Sequence, residues 1–126
     1  MPLTGMRTRV KICGITRPED GRAAARAGVD AIGLVFYAKS PRYVALQQAQ
    51  AICRALPPFV SVVALFVNAR REQVTEVLNA IPVDLLQFHG NEQAEQCVSF
   101  GRPYIKAIGM REGSDPLSTM EVHPEA

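Results

Sequence analysis

The sequence predicts an alternating α/β domain built around a parallel sheet. Three observations carry that reading. Apolar strand-like runs alternate with stretches of helical period four times over, and a fifth strand follows. The run from Val60 to Val67 is apolar at nearly every position, as a strand buried on both faces requires. Of the 126 residues, 48% are hydrophobic and 21% charged, the ordinary balance of one globular domain.

The first strand is expected over Arg9 to Cys13. Thr16 and Glu19 have capping-box spacing, so each should satisfy an orphan amide at the start of the first helix. Ala23, Ala24 and Ala27 mark its inner face, and Gly28 suits its C-terminal cap. The second strand is Ala31 to Phe36, followed by a polar loop, Tyr37 to Tyr43. Leu46, Ala49, Ile52, Cys53 and Leu56 then share a helical face that Pro57-Pro58 terminates. After Val60 to Val67, Asn68 is expected to cap a helix carrying Val74, Val77, Leu78 and Ile81, which Pro82 ends. Asp84 to Phe88 is the fourth strand. Asn91 is expected to cap a helix with Ala94, Cys97 and Val98, closed by Gly101, and Tyr104 to Ile108 is the fifth strand. Beyond it, Asp115-Pro116 has the form of an N-cap followed by proline at the first helical position, with Leu117 and Met120 as a short inner face.

Two architectures satisfy this pattern. One is a five-stranded doubly wound sheet of flavodoxin type. The other is an incomplete (βα)8 TIM barrel, since a full barrel takes roughly 200 residues or more. Periodicity alone does not choose.

Bulk properties exclude other classes. The formal net charge is +2 with the basic residues scattered, which gives no electrostatic footprint for nucleic acid. No apolar run approaches the ~20 residues that span a bilayer, and Met1 to Met6 lack a signal peptide's apolar region. A cytoplasmic location and no membrane partner are therefore expected. Cys13, Cys53 and Cys97 are widely spaced and odd in number, so neither a disulfide framework nor a CxxC metal site is indicated.

Four words at strand ends carry a resemblance. They are Lys11-Ile12-Cys13-Gly14-Ile15-Thr16, the stretch Gly33 to Arg42 with its Lys39-Ser40-Pro41-Arg42 end, Leu65-Phe66-Val67-Asn68, and Gln87-Phe88-His89-Gly90. In that order and spacing, from about Arg9 to about Lys106, they resemble the first four βα junctions of the phosphoribosylanthranilate isomerases.

The resemblance implies a (βα)8 barrel of which residues 8–126 form about five βα units, with strands six to eight missing. Residues 1–7 would be a disordered lead. It implies an Amadori rearrangement, in tryptophan biosynthesis, of N-(5-phosphoribosyl)anthranilate to 1-(2-carboxyphenylamino)-1-deoxyribulose 5-phosphate. A small phosphorylated substrate is expected, and no metal or organic cofactor. Cys13 falls on the family's general base. A thiol, with a reference pKa of about 8.5, suits base catalysis after modest tuning. Lys11, two residues earlier on the same strand face, is the expected tuning charge and a substrate-side residue. Arg42 falls on the family's clamp for the anthranilate carboxylate, which a guanidinium fork matches with two parallel hydrogen bonds. Gln87 and His89 end the fourth strand, where barrel enzymes face their substrates.

Plain readings stand beside these. A strand-end cysteine is usually a small buried hydrophobe, Arg42 could be a solvated loop residue, and His89 could merely shape a turn. Cys53 and Cys97 sit on apolar helical faces and read as packing. Lys11 and Lys106 are both candidates to point into the barrel, where a buried ammonium needs a partner that the missing half could supply; the alternative is that Lys106 extends its head to solvent. The family's general acid, at the end of a sixth strand, and its phosphate loops find no match here, so the chain alone is expected to be inactive. The alternative is a non-catalytic (βα)5 module that binds a small phosphorylated ligand or acts as a scaffold. Five parallel strands leave two open edges, so self-association or pairing with a complementary C-terminal fragment is expected.

Overall fold

A computed structural model describes residues 7–108. The structure contains strands β1 (Lys11–Cys13), β2 (Ala31–Val35), β3 (Ser61–Phe66), β4 (Leu85–Phe88) and β5 (Tyr104–Lys106). Between them run helices α1 (Pro18–Arg26), α2 (Leu46–Ala55), α3 (Arg71–Ala80) and α4 (Ala94–Val98). The stretch around Asp115-Pro116, with Leu117 and Met120, lies outside the described residues, as does His123.

All four strand pairings are parallel, and the order is β1-β2-β3-β4-β5. This order decides between the two architectures. A doubly wound sheet reverses its direction of growth at a switch point; a flavodoxin-like sheet runs 2-1-3-4-5. Here every crossover steps the same way. Right-handed crossovers then place all the helices on one face of the sheet, as in a barrel wall.

The register sorts the side chains. Ile32 and Leu34 of β2, Val62, Ala64 and Phe66 of β3, and Leu86 and Phe88 of β4 face the helices and form the main core with Val44, Ile52, Val74, Val77 and Cys97. Phe66 is fully buried, its ring centroid 5.6 Å from Phe36 and 6.4 Å from Phe88. The opposite face carries Lys11, Cys13, Gly33, Val63, Leu65, Gln87 and Ile105 by the two-residue alternation of strands. Lys11 Nζ on β1 donates to Gln87 Oε1 on β4. Three strand spacings in a flat sheet would separate those backbones by about 14 Å. A bond between side chains that rise from the same face therefore requires the sheet to curl toward that face.

Several local expectations move. Thr16 does not cap α1. Pro18 takes the first helical position, which pushes the preceding residue, Arg17, into the extended N-cap conformation (φ −134°, ψ 146°) with no side-chain cap bond. Asn68 and Asn91 are not N-caps either; α3 starts from Arg70 and α4 from Gln93. Gln93 makes a capping box with Gln96, the Gln93 N–H donating to Gln96 Oε1 at 2.9 Å. Asn68 and Asn91 instead bond to each other across two loops. Gly28 (φ 90°) and Gly101 (φ 66°) follow their helices in the left-handed conformation expected of them. At the N-terminal end of the strands, Asp30 binds both Arg7 and the Val10 N–H, and Asp84 binds the Val62 N–H at 2.8 Å.

Candidate active site

Strand ends set the site. In a parallel sheet every strand's C-terminal end lies on one rim, so Cys13 at the end of β1, Arg42 in the loop after β2 and His89 just past β4 are brought to the same edge. β1 and β2 approach closely there because β2 offers a glycine. A Cβ on Gly33 would lie 3.0 Å from Cys13 Sγ and 3.1 Å from Cys13 Cα. The Gly33 carbonyl also receives the Gly14 and Ile15 N–H groups at 3.0 and 3.2 Å, which bends the chain away after the cysteine.

Arg42 is brought back over that bend. The Tyr37 to Tyr43 loop closes through Ser40 N–H to the Tyr37 carbonyl (2.9 Å) and Tyr43 N–H to the Ser40 carbonyl (3.1 Å). Ser40 Oγ accepts the Arg42 N–H at 3.1 Å. Arg42 Nη1 donates to the Cys13 carbonyl at 3.2 Å. Its side chain occupies the space a Cβ on Gly14 would need, with Cδ 2.4 Å from that position. Gly14 has φ 87°, so glycine is required here twice over, for conformation and for space.

Lys11, Gln87 and His89 form a second chain of contacts. Gln87 Oε1 accepts from the Lys11 ammonium, and Gln87 Nε2 lies 2.9 Å from His89 Nε2. The protonation states follow. An ammonium only donates, so the oxygen of Gln87 faces Lys11 and the amide NH₂ faces the imidazole. That NH₂ also only donates, so His89 Nε2 accepts, and the ring is neutral with its proton on Nδ1. Burial first, then the Lys11 and Lys106 charges, hold the His89 pKa below the usual 6.5, which favours the same neutral ring. Cys53 and Cys97 are unlike the rim. Burial pushes both thiols up to about 11, as suits packing.

Lys106 corrects an expectation. It shares the helix-side face of β5 with Tyr104 and does not point into the barrel. Its ammonium finds a partner within the described residues, 3.4 Å from Glu92 Oε1, and donates to the Gly90 carbonyl. Glu92, 7% exposed, was not legible as a buried residue from sequence, where it is one polar residue in a loop. Glu92 also accepts the Asn68 N–H (2.8 Å) and the Gly90 N–H (2.9 Å), and Asn68 Oδ1 accepts the Asn91 N–H (2.7 Å). The loops after β3 and β4 are thereby tied together.

The chain matches the family model described as N-(5'phosphoribosyl)anthranilate (PRA) isomerase over residues 10–123. It is 60% identical, over 118 residues, to the N-(5'-phosphoribosyl)anthranilate isomerase of Pseudomonas paraeruginosa, a match covering 94% of this chain and 56% of that one. The enzyme of the same name from Alcanivorax borkumensis is 64% identical over 107 residues, 85% of this chain and 49% of that one. Among solved structures, the phosphoribosyl anthranilate isomerase of Thermotoga maritima superposes with a TM-score of 0.78 at 42% identity, over 82% of this chain and 52% of that one. Another such isomerase, in complex with reduced 1-(o-carboxyphenylamino)-1-deoxyribulose 5-phosphate, gives a TM-score of 0.79 at 41% identity, over 83% and 55% of the two chains. The chain spans about half the length of the curated relatives it matches. With strand order, rim geometry and these similarities in agreement, the chain belongs to the phosphoribosylanthranilate isomerase family.

Proposed function

We propose that this chain supplies one side of a phosphoribosylanthranilate isomerase active site, with Cys13 as general base and Arg42 as clamp for the anthranilate carboxylate. The observation that carries the reading is the Arg42 bond to the Cys13 carbonyl, which holds the guanidinium next to Cys13 at a common rim. The bound compound in the related structure carries a carboxyphenyl group and a phosphate. A guanidinium forked onto that carboxylate would orient the aromatic amine, and the thiol would take the proton from C2 of the opened ribose. The proton's removal and return convert aminoaldose to aminoketose without net redox change. Gln87 and His89 offer a neutral polar wall, and Lys11 holds Gln87 in place.

The general acid and the phosphate loops belong, in this reading, to chain beyond the five described strands. The two open edges support it. Ile12 on β1 is 41% exposed and Ile105 on β5 is 40% exposed, and each sits on a strand with a neighbour on one side only among the described residues. Such edges call for strands six to eight, a complementary fragment or a second copy. Among the described residues no helix is long and apolar enough to cross a membrane, which suits a cytoplasmic biosynthetic enzyme.

The test is turnover of N-(5-phosphoribosyl)anthranilate. The 126-residue chain alone should give none. Fused in frame to the C-terminal half of the Pseudomonas paraeruginosa relative, it should gain activity, and Cys13→Ala in that hybrid should remove about 10²–10⁴-fold of it. A fully active Cys13→Ala hybrid would overturn the assignment.

A further inference from the structure

Glu92 and Lys106 are the buried charges on this rim that the proposed chemistry does not use. Their side chains are 5% and 7% exposed. Burying an ion pair is costly unless further hydrogen bonds occupy its donors and acceptors, so what the pair grips is informative. Glu92 holds the Gly90 N–H through Oε1 and the Asn68 N–H through Oε2. Lys106 holds the Gly90 carbonyl, so both polar groups of Gly90 are occupied by this one pair. The residue before Gly90 is His89, whose own N–H is fixed on the Phe66 carbonyl at 2.9 Å. A Cβ on Gly90 would fall 2.3 Å from Asn68 Oδ1, which shows how tightly the two loops meet.

We propose that Glu92 and Lys106 are positioning residues whose joint grip on Gly90 and Asn68 sets the direction of the His89 ring, and so fixes the relay from Lys11 through Gln87 to His89. The pair acts on the ring through the backbone, not by touching a ligand. The result is a histidine held as one neutral tautomer, its Nδ1–H available as a donor while Nε2 is occupied by Gln87. This rests on the reading of the rim as the substrate face. Its test reads ring geometry rather than turnover, so the two can fail separately.

The charged groups acting on His89 are Lys11 from β1, Lys106 from β5 and Glu92 from the loop before α4. That set separates positioning from simple charge. If the pair acted only through space, Lys106→Met would raise the ring's titration midpoint and Glu92→Gln would lower it further, since the lysine depresses it and the glutamate raises it. Release of the ring gives another pattern: both variants move the midpoint the same way, up toward 6.5, and both lose the single tautomer.

The experiment is long-range ¹H–¹⁵N NMR of the imidazoles in the 126-residue chain from pH 5 to 9. Only His89 and His123 contribute, so assignment needs one His123→Gln control. The parent should show His89 as the Nδ1–H tautomer. Glu92→Gln and Lys106→Met should each give a tautomer mixture with a raised midpoint. Should either single variant fail to fold, the uncharged Glu92→Gln/Lys106→Gln pair leaves no buried ion, and the same mixture is expected from it. Shifts of opposite sign with the tautomer kept, or an unchanged ring in any folded variant, would overturn the proposal.

Discussion

Gly14→Ala probes the link between the thiol strand and the carboxylate clamp. The position has φ 87°, where an L side chain costs about 1–2 kcal/mol. The new methyl would also sit 2.4 Å from Arg42 Cδ and 2.7 Å from both Nε and Nη1. A long side chain escapes such a clash by swinging away, so the steric term itself stays small. What is lost is the Arg42 bond to the Cys13 carbonyl, about 0.5–1.5 kcal/mol for a typical hydrogen bond. The total is about 1.5–3.5 kcal/mol. With a urea m-value near 2 kcal/mol/M, the unfolding midpoint should fall by about 0.75–1.75 M. The same substitution in an Arg42→Ala background meets only the backbone strain and should cost about 1–2 kcal/mol. Urea titrations of the four proteins at one fixed concentration, followed by far-UV circular dichroism, close the cycle. A coupling inside the ~0.3–0.5 kcal/mol of independent sites would show that Arg42 does not lie over Gly14, and the rim geometry would be wrong.

Two further predictions concern the scaffold. Phe66→Ala empties the middle of the Phe36–Phe66–Phe88 cluster and should cost about 3–5 kcal/mol in the same titration, a large share of the ~5–15 kcal/mol that holds an ordinary domain folded; a cost below ~1.5 kcal/mol would mean the cluster is not the core. The Arg7 guanidinium and the Val10 N–H hold Asp30 down at about 2, below its ordinary 3.8. The unfolded chain therefore takes up the proton first on acidification, and this contribution is present above pH ~4 and lost as pH falls toward ~2. Asp30→Asn should flatten the difference between urea midpoints measured at pH 4 and at pH 2.5, and an unchanged difference would dissociate Asp30 from the acid limb.

Much of the fold is legible because helices and strands write different periods. Val60 to Val67 announces a buried strand, and Gly28 and Gly101 mark helix ends where only a left-handed residue closes the turn. The caps misread for a local reason. Thr16, Asn68 and Asn91 are all good N-cap residues, but Pro18 fixes one boundary, while Asn68 and Asn91 are drawn into a cross-loop bond that only the folded sheet creates. Strand order is likewise a long-range property that periodicity does not encode. At the rim, Cys13, Arg42, Gln87 and His89 stand out as motif residues. Glu92 does not, since a lone acidic loop residue gives no sign of burial until Lys106 and two backbone amides surround it.

The central claim is that Cys13 and Arg42 serve one ligand. Alkylation of Cys13, Cys53 and Cys97 by iodoacetamide at pH 8 in the hybrid with the C-terminal half of the Pseudomonas paraeruginosa relative, read by peptide mass spectrometry with and without reduced 1-(o-carboxyphenylamino)-1-deoxyribulose 5-phosphate, tests it directly. Cys53 and Cys97, with thiols pushed up to about 11, are the internal controls. The ligand should slow labelling at Cys13 alone, and Arg42→Ala should abolish that protection at the same ligand concentration. Protection that survives Arg42→Ala undiminished, or a Cys13 rate the ligand leaves unchanged, would contradict the account.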